Sequence, residues 1–376
     1  MFAFSNSFRS RWLPSLRRTL TPVGVICIIV SLLGCLAILN GSYDLDRPFH
    51  YVRRQLVWLV TAIGVLLTTT AVPFRLYRRW ALFLALPVYI LLWLVLVFGI
   101  RVNGMRGWFA AYGVFLQPSE IGKPVFVLCL AAVLTATEER RRRLLSGYLP
   151  ALGLLAAWVV PILLEPDLGT ALVYIAAFFI VMTCAGSSLI HLSATAIAAL
   201  PVAGLFIWQK PYVKDRFLAF LRPEQYLDTA GWHILQFQRT LAAGGLFGSG
   251  THEQSVKTWL PFGYSDSIFA TIGEAVGFVG CVAVVAVLMA WMLYGYVRVR
   301  RADSYFSAMV IAGMVTVIGV QAFIHLSVNL GVLPPTGLPL PLISYGGSSL
   351  VATVASVGIT ESAAREGGTL LPCRER

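Results

Sequence analysis

Asp266 is the acidic residue whose position in this sequence most strongly suggests chemistry. It lies in "LPFGYSDSIFA" (260–270), directly before a long and very apolar run. A partly desolvated carboxylate at such a boundary has a raised pKa, and it can then accept a proton as a general base. An aspartate in this place can instead cap the helix that follows. We take Asp266 as a candidate functional residue.

An acid and a base stand three residues apart in "QPSEIGK", so that Glu120 and Lys123 share one face of a predicted helix. They form either a local ion pair that lets the helix tolerate its charges or part of a binding site. Upstream, "NGMRGW" contains Arg106, whose planar guanidinium suits a phosphate group, and Trp108, a residue type that also anchors helices at membrane interfaces. All four are candidate substrate-binding residues.

Other polar residues occur beside or within apolar runs. The motif "EPDLGT" contributes Glu165 and Asp167 to the candidate substrate-binding residues, although Asp167 is equally well placed to cap a helix. Glu274 lies two turns into the run that follows Asp266, on a similar face. His325 and Asn329 are four residues apart, and hydrogen bonding between helices is the simpler interpretation for both. The remaining candidates for substrate binding are Lys257, Ser344 and Ser348.

The composition is that of an integral membrane protein. Of the 376 residues, 58% are hydrophobic and only 12% are charged, and the mean hydropathy is +0.78. Many apolar runs have roughly the 20 residues that a membrane-spanning helix needs, without the alternation of a β-barrel. The predicted fold is an all-α, single polytopic membrane domain over residues 1–376. Its ten predicted spans lie at about 22–40, 55–73, 80–99, 118–137, 148–164, 169–185, 189–208, 266–297, 304–329 and 341–362.

Basic residues indicate the orientation of these spans. If both termini are cytoplasmic, the cytoplasmic segments hold 17 of the 29 Lys and Arg residues, including the run "EERRRR" at 138–143. The net charge of +12 then reflects topology rather than a nucleic-acid partner. A large external loop, about 209–265, joins spans seven and eight, and a cytoplasmic tail covers about 363–376. None of the six cysteines falls in an external loop, so neither disulfides nor a zinc site is expected.

The segment "GVLPPTGLPLPLISYGGSSL" (331–350) cannot be helical throughout, because its prolines break helices. Non-helical backbone at membrane depth persists only where protein or a watery cavity satisfies its polar groups. We therefore expect this segment to line a cavity. In the predicted topology, the candidate acids and bases collect at the external face. Such a mixture suits an anionic, lipid-linked substrate handled outside the cell, and it would also suit an ion-coupled transporter.

The motifs of this chain resemble those of the SEDS family (shape, elongation, division and sporulation), which includes FtsW, RodA and SpoVE. Two of them, "ATIGE" and "PYVKDRFLAFLRP", are nearer to the FtsW branch. The motifs follow one another in family order over nearly the whole chain: "NGMRGW", "QPSEIGK", "EPDLGTA", "RFLAFLRPE", "GGLFGSG", "LPFGYSDSIFATIGEAVGFVG" and "GVLPPTGLPLPLISYGGSSL".

The resemblance implies a ten-span protein of the bacterial cytoplasmic membrane with cytoplasmic ends. It also implies the activity of a peptidoglycan glycosyltransferase that polymerises lipid II at the outer leaflet. The implied partners are a monofunctional class B penicillin-binding protein, which is a transpeptidase, and other membrane proteins of division or elongation. The family's essential acid falls on Asp266, and its required acid and base fall on Glu120 and Lys123.

In such a reaction one lipid II supplies the donor sugar, and the 4-hydroxyl of another attacks the anomeric carbon with inversion, releasing undecaprenyl pyrophosphate. Asp266 would take the hydroxyl proton, and Arg106 and Lys123 would neutralise the diphosphate. A divalent cation (Mg²⁺ or Mn²⁺) could share that duty, although no metal-ligand pattern in the sequence decides it. The chain departs from the family pattern at Gly107, Phe262, Tyr264, Ser265, Ser267, Ala275 and His325.

Two other functions fit the same helices. A lipid II flippase would explain the spans and a lipid-facing cavity, but transporters gather their polar sites near the membrane midplane rather than in an external motif. A scaffold that only holds the transpeptidase would leave the polar cluster without a role.

The charge distribution yields a testable topology. A reporter fused at Arg141 or at the C-terminus should read cytoplasmic, and one inserted at Glu224 should read external, because positively charged loops stay inside. Alkaline phosphatase and fluorescent-protein fusions measure both sides. An external Arg141 would contradict the ten-span arrangement.

Overall fold

The computed structural model describes residues 21–43, 45, 47–102, 104–111, 114–135, 144–227, 230–250 and 260–366. Helices dominate this part of the chain. Those before the long predicted loop are α1 (Pro22–Ser42), α2 (Pro48–Ala71), α3 (Phe74–Phe98), α4 (Pro118–Leu134), α5 (Leu149–Leu164), α6 (Leu168–Cys184) and α7 (Leu189–Gln209). Those within and after it are α8 (Pro211–Leu221), α9 (Ala230–Ala243), α10 (Ile268–Arg300), α11 (Tyr305–Asn329) and α12 (Gly347–Glu366).

Each of the ten predicted spans overlaps one of these helices. Seven helices in the described part of the chain are long and apolar enough to cross a membrane: α1, α2, α3, α5 with the π-helical turn (Leu144–Tyr148) before it, α7, α10 and α11. The other three, α4, α6 and α12, have 17, 17 and 20 residues. The multi-pass membrane fold is therefore clear, whereas the count of ten spans stays a prediction. The run at 138–143 and the tail beyond 366 lie outside the described residues.

A small antiparallel sheet is the part of the fold that the all-α prediction missed. Its strands are β1 (Ile100–Val102), β2 (Met105–Ala111) and β3 (Val114–Leu116), in the order β1-β2-β3. Trp108 pairs with Ile100, and Phe109 pairs with Leu116. Gly104, at φ 81°, supplies the left-handed residue of the first turn. The segment is short, and its apolar residues do not alternate regularly, so strand periodicity was not visible in the sequence.

The centre of the bundle is α11, which packs against α4, α6, α10 and α12. Large side chains such as Phe126, Tyr174, Phe178 and Met314 are fully buried there. At the periphery, Leu192 is the only buried residue of α7. Helix α7 is apolar, yet the rest of the protein covers little of it. Its surface is therefore suited to contact with lipid.

The helix α10 is interrupted at Gly277, whose φ of 73° no other residue type adopts readily. The glycine-rich motif "GGLFGSG" packs against this interruption. Ser249 donates its backbone N–H to the carbonyl oxygen of Glu274 (2.9 Å), and Phe278 donates to the carbonyl of Gly245 (2.9 Å). These bonds satisfy the backbone groups that the break would leave unpaired. They also hold the half of α10 that begins beside Asp266.

Residues 330–346, called the proline-rich segment below, have no regular helix, as the sequence predicted. The segment lies between helices rather than outside them. Its Ile343 packs directly on Gly34 of α1, where a Cβ atom would lie only 2.7 Å from the Ile343 carbonyl oxygen.

This contact generates a stability prediction. Gly34→Ala should lower the thermal stability of the purified protein, because overpacking of this kind costs roughly 1–3 kcal/mol. Gly64→Ala in α2 is the matched control, since a Cβ there meets nothing within 4 Å. It should leave stability equal or slightly higher, because alanine favours a helix over glycine. Thermal unfolding in detergent measures both, and equal melting of Gly34→Ala and wild type would contradict the packing.

Candidate functional site

A cavity of about 520 Å³ opens where the motifs that were predicted to be external meet. Its polar lining includes three acids, Glu120, Asp167 and Asp266, and one cation within the described part of the chain, Arg216. The walls come from β2, the first turns of α4 and α6, the last turns of α7, α8, the proline-rich segment and the start of α12. The prediction that the proline-rich segment lines a cavity is thus confirmed.

Asp266 lies in an acidic turn, residues 260–267, immediately before α10. Hydrogen bonds from three elements fix the backbone of this turn. Asn329 of α11 donates its side-chain amide to the Asp266 carbonyl (3.0 Å), and Ser344 donates its hydroxyl to the Ser265 carbonyl (2.8 Å). Thr271 donates its hydroxyl to the Gly263 carbonyl (2.8 Å). The turn is therefore tied to α10, α11 and the proline-rich segment at once.

The carboxylate of Asp266 faces the cavity rather than capping the helix. The N-cap position of α10 is occupied by Ser267, so the capping interpretation of Asp266 is wrong. Burial raises the pKa of Asp266 above its usual value, while the Arg216 guanidinium and a hydrogen bond from Ser265 oppose that rise. A raised pKa makes the carboxylate a stronger base than a free aspartate.

Arg216 is the site residue that the sequence analysis did not single out. It lies on α8, in the motif "RFLAFLRPE", and donates its Nη1 to the carbonyl oxygen of Pro335 (3.1 Å). The available signal was a single arginine, preceded by Lys214 and Asp215, in the loop that was predicted to be external. Such a residue is not distinguishable from a solvated charge until the fold brings α8 onto the cavity.

Glu120 and Lys123 form a buried ion pair, with 2.5 Å between Nζ and Oε1. Lys123 also donates to Oε1 of Gln321 on α11 (2.7 Å), and Gln321 donates in turn to the Pro339 carbonyl (2.9 Å) and to Ser349 (3.1 Å). Glu120 lines the cavity, whereas Lys123 stands behind it. The pair therefore connects α4, α11, α12 and the proline-rich segment below the floor of the cavity.

Asp167 caps α6, as its sequence context allowed, by accepting a hydrogen bond from the Thr170 backbone N–H (2.9 Å). It also accepts from the side chain of Gln117 (3.1 Å) and lines the cavity. Glu165 is fully buried beside Gly107, where a Cβ would lie 2.8 Å from Oε2. Burial and the neighbouring Asp167 carboxylate raise the pKa of Glu165 to about 9, so it is protonated at neutral pH.

Arg106 does not line the cavity. Its Nη1 donates to the carbonyl oxygens of Leu96 (3.0 Å) and Val97 (3.3 Å), near the C-terminus of α3. A cation is favoured there because the last carbonyls of a helix carry partial negative charge. Its neighbour Trp108, in contrast, is part of the cavity wall. The binding role predicted for Arg106 stays a prediction. In this structure its guanidinium caps the C-terminal end of α3.

Of the remaining predicted residues, Ser344 and Ser348 form hydrogen bonds that hold the surrounding backbone. Ser344 accepts from the Leu340 backbone N–H (2.8 Å) and holds the acidic turn. Ser348 lines the cavity and accepts from the Gln117 backbone N–H (3.0 Å). Lys257 lies outside the described residues. Hydrogen bonding between helices was expected for His325 and Asn329. Asn329 of α11 accepts from the Ala270 backbone N–H of α10 (3.3 Å), whereas His325 Nδ1 lies 2.7 Å from the Leu338 carbonyl oxygen in the proline-rich segment.

Two of the departures from the family pattern shape the cavity. Tyr264 stacks on Tyr51 of α2, with ring centroids 3.9 Å apart, and both contact Tyr345 edge-on. Phe262 adopts a positive φ of 53°, which bends the acidic turn. Tyr264, Tyr345 and Phe262 all line the cavity, so the wall beside Asp266 is aromatic.

Comparison with known proteins decides the family. The model of the FtsW/RodA/SpoVE family, described as cell cycle proteins, matches residues 17–368. The chain belongs to this family. It is similar to a probable peptidoglycan glycosyltransferase FtsW of Trichlorobacter lovleyi, with 33% identity over 82% of each chain. It is also similar to stage V sporulation protein E of Bacillus subtilis, with 28% identity over 91% of this chain and 95% of that one.

Solved structures of family members share its architecture. One is a chain in a peptidoglycan synthase complex that coordinates polymerization and crosslinking, with a TM-score of 0.77 and 29% identity over 92% of this chain and 98% of that chain. Another is the rod shape determining protein RodA of Thermus thermophilus, with a TM-score of 0.67 and 27% identity over 91% and 96%. The membrane fold of the FtsW/RodA/SpoVE family is thus the fold of this chain.

A divalent cation remains a prediction. Among the residues that the structure describes, no group of three or more His, Cys, Asp or Glu side chains is arranged to hold a metal ion. Glu120 and Asp167 are already occupied by Lys123, Gln117 and Thr170. Because this donor set does not fit a metal on its own, no catalytic step below involves one.

The buried ion pair predicts an asymmetry between single and double variants. Lys123→Met should destabilise the protein by about 3–5 kcal/mol, because it leaves the Glu120 carboxylate buried and unpaired. The double variant Lys123→Met with Glu120→Gln should recover most of this loss, since no unpaired charge remains. Thermal unfolding in detergent measures stability, and glycan polymerisation measured on the same samples separates structure from chemistry. A double variant that is stable but inactive would place the pair in the reaction.

The raised pKa of Glu165 predicts a pH dependence. The folded protein keeps this proton up to about pH 9, whereas the unfolded chain releases it near the ordinary value of 4.5. Stability should therefore fall as pH rises between these values, by up to about 1.4 kcal/mol per pH unit. Glu165→Gln should remove that pH dependence. Below about pH 4.5, where Glu165 is protonated in both the folded and the unfolded chain, the variant should have nearly the stability of wild type. Equal pH profiles of stability for the two proteins would contradict a buried neutral acid.

Proposed function

We propose that this protein polymerises lipid II into peptidoglycan glycan strands at the outer leaflet of the bacterial cytoplasmic membrane. The observation that carries the proposal is the Asp266 carboxylate, which lines a cavity at the end of a membrane helix together with Arg216. A relative of this chain is named a probable peptidoglycan glycosyltransferase. The aromatic wall suits a sugar and the apolar α7 suits a polyprenyl chain.

The proposed step is an inverting glycosyl transfer. The oxygen of the acceptor's 4-hydroxyl forms the new bond to the anomeric carbon of the donor. The bond from that carbon to the diphosphate oxygen breaks, and its electron pair leaves with undecaprenyl pyrophosphate. Asp266 receives the hydroxyl proton as general base. Atoms and charge balance without any further reactant.

The surroundings of Asp266 support this role. Burial favours the neutral acid and raises the pKa of Asp266, whereas Arg216 and a hydrogen bond from Ser265 favour the carboxylate. The backbone bonds from Asn329 and Ser344 fix the position of the turn. A base that is already in place loses little to reorganisation when the hydroxyl arrives.

A transpeptidase of the class B penicillin-binding type is the proposed partner, together with other membrane proteins of division or elongation. In the similar peptidoglycan synthase complex, polymerization and crosslinking are coordinated. In this chain α10 presents a wide exposed apolar surface that could receive a transmembrane helix, formed by residues such as Val279, Val282, Met289 and Leu293. Both termini are proposed to be cytoplasmic.

The experiment uses purified full-length protein with lipid II, with and without a class B transpeptidase, and displays glycan strands on a gel. Polymer formation supports the proposal. Movement of labelled lipid II across vesicles without polymer would support a flippase instead. Neither activity, in a protein that still binds the transpeptidase, would support a scaffold.

Asp266→Asn provides the sharpest prediction for this reaction. The amide keeps the size of the side chain but cannot accept the proton as a carboxylate does. Polymerisation should fall by about 10²–10⁴-fold, the usual contribution of general-base catalysis, with normal expression and retained partner binding. Asp303→Asn is the matched control, because Asp303 is exposed between α10 and α11, and it should polymerise normally. An active Asp266→Asn protein would exclude Asp266 as the base.

A further inference from the structure

The cations that the sequence offered for the diphosphate are both engaged elsewhere. Lys123 is 2% exposed and lies between Glu120 and Gln321. The guanidinium of Arg106 is directed at the carbonyls of Leu96 and Val97. In the part of the chain that the structure describes, Arg216 is the cation that lines the cavity. The positive charge that a diphosphate leaving group requires must therefore be sought at Arg216 first.

Arg216 and Asp266 contact the same short piece of the proline-rich segment. Arg216 Nη1 donates to the Pro335 carbonyl oxygen at 3.1 Å. Two residues later, Gly337 approaches Asp266, and a Cβ on Gly337 would lie 3.5 Å from Asp266 Oδ2. Gly337 has a φ of 75°, a conformation that favours glycine. The backbone 335–337 therefore sets the separation between the guanidinium and the carboxylate.

Charge also argues for a function at Arg216. Of the acids in the cavity, Glu120 is neutralised by Lys123, and Asp167 accepts two hydrogen bonds. Asp266 is the carboxylate that a diphosphate would meet, and two like charges repel one another. A guanidinium beside Asp266 offsets this repulsion, and its planar fork matches phosphate oxygens in geometry.

We propose that Arg216 binds the diphosphate of the polyprenyl-linked donor and stabilises the charge that grows on it as the glycosidic bond forms. The proposal deepens the function proposed above and rests on it. The Pro335 carbonyl orients the guanidinium before the substrate arrives, so that little reorganisation is needed as charge develops. Arg216 is then a catalytic residue that acts on the leaving group, while Asp266 acts on the acceptor.

A binding experiment without turnover tests this assignment. Wild type, Arg216→Gln and Arg216→Lys are purified at full length, and the affinities for undecaprenyl diphosphate and undecaprenyl monophosphate are measured in the same detergent. Wild type should bind the diphosphate more tightly. Arg216→Gln should bind it about 10–100-fold more weakly, the range expected for lost hydrogen bonds to a charged group. Arg216→Lys, which keeps the charge without the fork, should lie between them.

Arg222→Gln is the matched control, because Arg222 is exposed at the end of the same helix and does not line the cavity. Its diphosphate affinity should equal that of wild type. A purely structural role for Arg216 would lower the melting temperature of Arg216→Gln with diphosphate affinity unchanged, and that result would overturn the proposal. Unchanged affinity and unchanged stability would overturn it as well.

The two proposals fail separately. If wild type makes no glycan polymer but Arg216→Gln still loses diphosphate affinity, the cavity binds a polyprenyl diphosphate for another purpose and the polymerase proposal alone is wrong. If wild type polymerises lipid II and Arg216→Gln polymerises it equally well with equal diphosphate affinity, the assignment of Arg216 alone is wrong.

Discussion

The fold depends on satisfying the backbone of the proline-rich segment inside an apolar bundle. An unpaired peptide group in this environment costs several kcal/mol, and prolines prevent the segment from satisfying itself as a helix. Side chains from distant helices therefore form the hydrogen bonds that the backbone of the segment cannot form with itself. Gln55 donates to the Ser344 carbonyl (3.3 Å), Gln321 to the Pro339 carbonyl (2.9 Å) and Arg216 to the Pro335 carbonyl (3.1 Å).

This requirement also builds the site. The same segment that these polar side chains bind approaches both Arg216 and Asp266, and Ser344 connects it to the acidic turn. The buried pair of Glu120 and Lys123 supports the floor through Gln321. Burying these polar side chains in such an apolar chain costs free energy, but it has two consequences. The backbone of the proline-rich segment is hydrogen-bonded, and a charged cavity forms at one end of the bundle. A rigid position for the base and for the cation follows from the same bonds.

The sequence was sufficient for features with a strong local cause. Apolar length located the helices, prolines marked the non-helical segment, and the spacing of Glu120 and Lys123 predicted their pairing. Features that depend on distant contacts were not accessible. The strands 100–116 lack clear alternation, Arg106 was aimed at a helix end rather than at the cavity, and Arg216 became recognisable only once α8 was placed against the proline-rich segment. Hydrogen-bond partners far apart in the chain leave no local pattern.

The central claim is that donor diphosphate and catalytic carboxylate meet in one cavity under the proline-rich segment. A cryo-electron microscopy structure of the full-length protein with bound lipid II tests it most directly. We predict the diphosphate within hydrogen-bonding distance of Arg216, with the anomeric carbon on the side of Asp266 and the polyprenyl chain along α7. Lipid II bound with its diphosphate away from Arg216, or its sugars on the far side of the bundle from Asp266, would contradict the account.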